Sequence, residues 1–253
     1  MERVDPYSLL AAGYEAVMAH VDYDAWAWHV RRLLARHHPG ARDVLELGCG
    51  TGALARTLQP LGPPPDGFRY RATDRSDEML AVARREAAAE GVPVTFERAD
   101  FRAVPAAPAA DAVLLLYDGL NYLLEPPEVA ALLAGAFAAL RPGGVFVVDQ
   151  STPANSENIA DGFDDAGETE AFSYLRTSRY DRAARLHTTT FHLRLPDGRE
   201  AGETHVQRAY ALEEVGALVA ASPFARVAAY DGLTLQPATA ASERVHWVLR
   251  RPG

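Results

Sequence analysis

VLELGCGTG, residues 44–52, runs a short apolar strand straight into three alternating glycines, with an acid, Glu46, two places before the first of them. Glycines at 48, 50 and 52 carry no Cβ, so a ligand can approach the backbone N–H and C=O groups of the turn directly. A tight turn needs one such residue. Three in alternation, after a strand with a buried pattern, point to ligand contact. The first strand-to-helix turn of a parallel α/β sheet is a usual place for it.

The flanking sequence supplies that sheet. Residues 43–47 read as a strand and 51–58 as a helix. A second strand over 68–73 ends at Asp74, and Ser76 opens a helix that Gly91 stops. Residues 94–98 form a third strand, with Asp100 just beyond. The run DAVLLLY (111–117) is nearly all apolar, the pattern of a strand buried on both faces. A helix over 128–140 is stopped by RPGG (141–144), and 145–149 give a fifth strand. This alternation requires a mostly parallel, doubly wound sheet with helices on both sides. Upstream, 6–36 has helical spacing, broken near 20–24. Downstream, 152–170 reads as loop. Residues 172–180, 186–195 and 203–210 alternate as strands, with a turn at Pro196-Asp197-Gly198. A helix over 212–221 and strands over 225–230 and 244–250 follow. The implied layout is an N-terminal helical cap (1–40), a ligand-binding α/β core (41–150), an inserted antiparallel β lid (151–210) and the end of the core sheet (211–253).

The totals narrow the function. A net charge of −9 over 253 residues repels phosphate backbones, so nucleic acid is a poor partner. The single cysteine, Cys49, allows no intrachain disulfide and suits a reducing cytoplasm. The start MERVDPYSLL has no charged-then-apolar leader pattern, and no apolar run reaches membrane-spanning length. No Cys/His spacing suggests a metal.

Two ligand classes compete for the glycine turn. Gly48, Gly50 and Ala53 satisfy the dinucleotide fingerprint, which would make the chain an NAD(P)-dependent oxidoreductase. Glu46 opposes that reading, because a carboxylate beside a pyrophosphate is repelled. A sulfonium or an ammonium would instead be attracted to it. ELGCGTG (46–52) resembles the first motif of class I S-adenosylmethionine-dependent methyltransferases. ATDRSDEMLAVAR (72–84), ERADFRAVP (97–105) and LRPGGVFVVD (140–149) resemble the segments that follow in that family, in the same order. The resemblance implies a Rossmann-like seven-stranded fold and S-adenosylmethionine as cofactor. It places Glu46, Gly48, Cys49, Gly50 and Gly52 at the turn, with Cys49 a small filler rather than a nucleophile. Asp74 would accept from the ribose hydroxyls, Met79 would pack on adenine, and Asp100 and Phe101 would meet the adenine edge. Tyr117 would lie near the methionine portion. YEAVMAHVDYDAWAWHV (14–30) resembles the segment that closes over the cofactor in small-molecule methyltransferases, which brings in Tyr14 and Trp26.

The acceptor side is marked more faintly. YDGLNYLL (117–124) follows the fourth strand and lacks the [DNS]-P-P-[YFW] box of nucleic-acid amino-methylating relatives. Asp118 and Asn121 are candidates for binding a small polar acceptor, and Tyr122 for orienting or deprotonating it. In ETHVQRAY (203–210) the odd separation of His205 and Arg208 puts them on opposite strand faces. His205 is the expected inward, catalytic one, and Arg208 a further substrate-binding candidate. The expected activity is methyl transfer to nitrogen or oxygen of a small polar molecule. A protein or RNA acceptor is the alternative within the class. An exposed lid sheet would also offer a surface for a homodimer.

Overall fold

The computed structural model describes residues 2–105 and 109–253. The chain opens with a two-residue strand, β1 (Glu2–Arg3), a 3-10 turn at Leu10–Gly13 and the short helix α1 (Tyr14–Val17). Helix α2 (Tyr23–His37) follows, its start fixed by Asp22, whose carboxylate accepts the Ala25 N–H at 2.8 Å. Then come β2 (Asp43–Leu47), α3 (Ala53–Leu58), β3 (Arg69–Asp74), α4 (Asp77–Glu90), β4 (Val94–Arg98), β5 (Ala110–Leu115), α5 (Pro126–Ala139) and β6 (Leu140–Ser151). The inserted segment contributes α6 (Pro153–Glu157), β7 (Phe163–Glu168), β8 (Ser173–Asp181), β9 (Leu186–Arg194) and β10 (Glu200–Arg208). Helix α7 (Leu212–Ala220) and strands β11 (Ala225–Asp231) and β12 (Arg244–Arg250) close the chain.

The core sheet has seven strands in the order β11-β12-β6-β5-β2-β3-β4, with only β11 and β12 antiparallel to their neighbours. This is the expected doubly wound α/β fold. Its central strands are buried on both faces. Ala112 and Leu114 of β5 join the apolar cluster under α2 and α3, while Val113 and Leu115 join the one under α5 and α7. The alternation of side chains along a strand explains why DAVLLLY is apolar almost throughout.

The second sheet has the order β1-β10-β9-β8-β7. Two of its strands depart from the sequence reading. Residues 163–168, read as loop because FDDAGE is polar, form the edge strand β7, where one face and one edge meet solvent. The chain's own start adds β1 in parallel beside β10, pairing Glu2 with Ala201 and Arg3 with Gly202. A third apolar cluster joins this sheet to the N-terminal segment: Leu10 and Val17 pack on Phe172, Phe191 and Leu193. Gly13 makes the close approach feasible, since a Cβ there would lie 2.7 Å from the Phe172 ring. The second sheet and the N-terminal segment therefore form one roof over the carboxyl ends of the core strands. No helix is long and apolar enough to cross a membrane among the described residues.

Candidate functional site

The main cavity opens between that roof and the top of the core sheet, where β2 has β3 on one side and β5 on the other. Its floor is the glycine turn. Gly48, Gly50 and Gly52 all have positive φ (63°, 55° and 72°), a region costly for residues with a Cβ. A Cβ on Gly50 would meet nothing within 4 Å, so the space above this residue is open. Gly52 serves another purpose. A Cβ there would lie 2.8 Å from Phe96, so this glycine lets α3 and its turn pack on β4, and it does not line the cavity. The turn is held by backbone bonds from Cys49 N–H to Thr73 O and from Gly52 N–H to Cys49 O, both 2.9 Å.

Two acids stand around this floor. Glu46 is 4% exposed and takes a hydrogen bond from Tyr70 Oη at 2.9 Å. It forms no ion pair among the described residues. Burial pushes its carboxyl up to about 8, with Tyr70 pulling the other way and Asp74 adding to the rise. Asp74 ends β3 and accepts the N–H groups of Gly50 and Ser76, both at 2.9 Å. Burial raises this carboxyl too, and those backbone donors oppose the rise. Ser76 caps α4 through Met79 N–H, which turns the buried Met79 side chain to the cavity. Phe101 lines the same side. Asp100 is spent differently: it accepts from Arg102 N–H at 2.8 Å, capping the short turn at Phe101–Ala103.

The roof supplies Tyr7, Tyr14, Tyr23 and Trp26. At the far wall, Tyr117 and Asp118 follow β5, both with positive φ (61° and 67°), a strained arrangement for residues with side chains. It is braced from below. Asp118 N–H donates to Asp149 Oδ1 at 3.2 Å, and Arg244 Nη1 bonds both Asp118 and Asp149. The Arg244 guanidinium lies over the rings of Trp26 and Tyr117, at 5.1 and 5.5 Å from their centroids. Burial raises the fully enclosed Asp149 carboxyl and Arg244 counters it, so two acids depend on one cation here.

Three acceptor-side expectations are redirected by this geometry. Asn121 is 1% exposed and its amide is consumed by backbone: it donates to Ser151 O and Arg208 O at 2.8 and 2.7 Å and accepts from Ser151 N–H at 2.9 Å. Arg208 turns away from the cavity toward Leu124 O, Glu214 and the Tyr210 ring. Asp118 is committed to Arg244. None of the three lines the cavity.

Tyr122 and His205 do meet, from positions 83 residues apart, with Tyr122 Oη 3.1 Å from His205 Nδ1. Tyr122 lines the cavity, while His205, 4% exposed, sits behind it. Two further groups join them that the sequence did not suggest. Tyr7 Oη lies 2.5 Å from Tyr122 Oη. Glu203, fully buried, accepts the N–H groups of Tyr7, Leu9 and Leu10 at 2.7, 2.7 and 2.9 Å, and its Oε2 is 3.7 Å from His205 Nε2. Against the pull of burial, the His205 imidazole first and then those backbone donors hold its carboxyl down. Glu203 thus fastens the N-terminal segment to the second sheet. The only sequence mark of Tyr7 is its seven-residue spacing from Tyr14, whose ring it meets edge-on at 5.8 Å.

The cradle fits an adenosyl-sulfonium ligand on chemical grounds. An acid at the strand end can accept from sugar hydroxyls, a buried thioether and a phenyl ring border a slot, and an unpaired buried carboxyl favours a cation. Comparison with known proteins agrees. Residues 44–144 match a family model described as a methyltransferase domain. A candidate methyltransferase of Geobacillus sp. (strain WCH70) is 29% identical over 254 residues, covering 97% of this chain and 99% of its own. A solved S-adenosylmethionine-dependent methyltransferase from Clostridium acetobutylicum ATCC 824 has a TM-score of 0.80 at 20% identity, over 96% of this chain and 97% of its own. An amino pentose methyltransferase from Micromonospora echinaspora, solved with S-adenosylmethionine bound, has a TM-score of 0.71 at 25% identity, over 94% and 96% of the two chains.

Proposed function

We propose that this chain, an S-adenosylmethionine-dependent methyltransferase, places the methyl group on an amine nitrogen of a small polar molecule. The nicotinamide reading of the glycine turn falls with that family assignment. The observation that carries the proposal is the enclosure of the cavity. Its acceptor end is roofed by Tyr7 and Tyr14 and walled by Tyr117 and Tyr122, leaving a phenol-lined recess under the lid. Such a recess suits a compact, hydrogen-bonding guest rather than a duplex or a folded protein.

Bound S-adenosylmethionine supplies a methyl group made electrophilic by its sulfonium. The chain's own part is to hold, orient and dry the reactants. Asp74 would take the ribose hydroxyls, Met79 and Phe101 would flank the adenine, and Glu46 would face the cationic portion. Residues 151–210 would act with the N-terminal segment as the lid that excludes water. Nitrogen is preferred over oxygen because the residues at hand are protonated phenols: burial raises both Tyr7 and Tyr122. An alkyl hydroxyl would need a far stronger base than these, whereas an amine needs only to shed the proton of its ammonium form. The resemblance to an amino pentose methyltransferase supports an amine acceptor.

The test is transfer of isotope-labelled methyl from S-adenosylmethionine to a panel of amino sugars (free and nucleotide-linked), amino acids, small phenols, bulk tRNA and denatured protein. Label on an amino sugar or another small amine is the expected result. Label confined to phenols, RNA or protein would contradict the proposal.

A further inference from the structure

We propose that Tyr7, Tyr122 and His205 form a proton relay that takes the acceptor's proton out of the cavity, with Tyr7 at its mouth and Glu203 positioning its inner end. This rests on the small-amine reading above and extends it to residues that no motif marks. The geometry is a chain of short contacts running from the cavity wall inward: Tyr7 Oη to Tyr122 Oη at 2.5 Å, then Tyr122 Oη to His205 Nδ1 at 3.1 Å. Behind the imidazole, Nε2 is buried without a hydrogen-bond partner and faces Glu203 Oε2 at 3.7 Å.

Glu203 gives the chain a direction. With three backbone N–H groups on it, this carboxylate stays ionised and favours the proton of the neutral imidazole on the nitrogen that faces it, Nε2. Nδ1 then carries the lone pair and accepts from the Tyr122 hydroxyl. Tyr122 oxygen in turn accepts from the Tyr7 hydroxyl. Tyr7 oxygen is left with its lone pairs for the cavity, where an acceptor N–H can donate to it. The Tyr7 ring is also held edge-on against the imidazole, at 4.6 Å between centroids.

The protons balance. The ammonium form of the acceptor gives one proton to Tyr7 oxygen, the Tyr7 proton moves to Tyr122, and the Tyr122 proton moves to His205 Nδ1. The imidazolium formed is stabilised by the Glu203 carboxylate. The freed nitrogen lone pair makes the N–C bond as the C–S bond breaks, and sulfur keeps that electron pair. One proton per turnover then leaves His205 for water as the roof opens to release product. On the neighbouring strands, Phe191 meets its ring edge-on, Thr189 is its partner on β9, and the cation Arg176 of β8 pairs with Phe191 on the same face. The charges that reach the two phenols are Asp74 and Asp118 at Tyr7, and Asp118 and Arg75 at Tyr122.

Two measurements decide it. Long-range 1H–15N correlation of the histidine rings in the ligand-free protein reads the tautomer without needing any substrate. The Nε2–H form with Nδ1 as acceptor is expected, and an Nδ1–H form overturns the relay. On the amino sugar or amine that serves best in the panel, Tyr7→Phe, Tyr122→Phe and His205→Gln should each lower kcat about 100-fold. S-adenosylhomocysteine affinity should stay within about threefold, since none of the three removes a cradle contact. Tyr122→Phe/His205→Gln should be no slower than either single variant. Wild-type kcat in any of the three single variants, or multiplying losses in the double variant, would overturn it. A wild-type protein that methylates no small amine would sink the acceptor reading instead, and the tautomer would still judge the relay.

Discussion

The floor and the roof of the cavity are built in opposite ways. The floor is one contiguous stretch, 44–52, with Asp74 and Met79 following at the next strand end and helix start. The roof site draws Tyr7, Tyr122, Glu203 and His205 from three distant parts of the chain and joins them by a few polar contacts. The floor's chemistry is carried by backbone shape, which strand-and-turn patterns encode locally. The roof's chemistry is carried by side chains that meet only where the second sheet packs onto the N-terminal segment. A cofactor common to a whole family can be held by the first kind of construction, while the acceptor is left to the second.

Four perturbations would break or sharpen this division. The largest effect should come from Arg244, which braces the wall shared by floor and roof. Arg244→Met leaves Asp118 and Asp149 uncompensated, and denaturant unfolding should show a loss of about 3 kcal/mol, the lower end for a broken buried pair because the guanidinium keeps 22% exposure. An unchanged midpoint would mean the wall does not need its cation.

Acid should weaken the seat of α2 on the core sheet. His29 of α2 packs against His246 of β12 with ring centroids 4.7 Å apart, and both are buried. Burial holds His29 down to about 4, with Arg32 adding to the effect, and holds His246 down as well. The unfolded chain therefore binds more protons than the folded one between about pH 6.5 and 4. Stability is whole above that window and is lost as pH falls through it, by up to roughly 3 kcal/mol for His29. Thermal melts across this window should show the decline, and His29→Phe should flatten it.

At the floor, Asp74→Ala should weaken S-adenosylhomocysteine binding by about 100-fold, the equivalent of two charge-assisted hydrogen bonds. Calorimetry reads it, and an equal loss in Tyr122→Phe would erase the distinction between floor and roof. The smallest effect is a pH slope. Because the Glu46 carboxyl lies at about 8, a cation must displace its proton at lower pH. S-adenosylmethionine affinity should rise about tenfold at most per pH unit toward 8 and level off above it. Glu46→Gln should abolish the slope, and a slope that survives in that variant assigns it to another group.

The same division explains what could be read from the sequence. The glycine turn, the strand order around it and the acids at 46 and 74 follow local rules, and the structure puts them together around one cavity. Gly52 looked like a third ligand-facing glycine because spacing cannot distinguish a missing Cβ that admits a ligand from one that admits Phe96. Asn121 and Arg208 looked available because their partners, Ser151 O and Glu214, belong to elements that arrive from elsewhere in the chain. Strand β7 was hidden by its polarity, which an edge strand tolerates. Parity along β10 did separate His205 from Arg208. Its spacing from Tyr14 does not reveal the role of Tyr7, which depends on a positive φ of 67° and on Glu203, 196 residues away.

The proposed activity requires an adenosyl ligand lying on the glycine turn with its sulfur toward the phenols. A crystal structure with S-adenosylhomocysteine tests this most directly. The predicted result is ribose on Asp74, adenine between Met79 and Phe101, and sulfur open to the recess of Tyr7 and Tyr122. Ligand bound elsewhere, or a sulfur sealed from that recess, would contradict it.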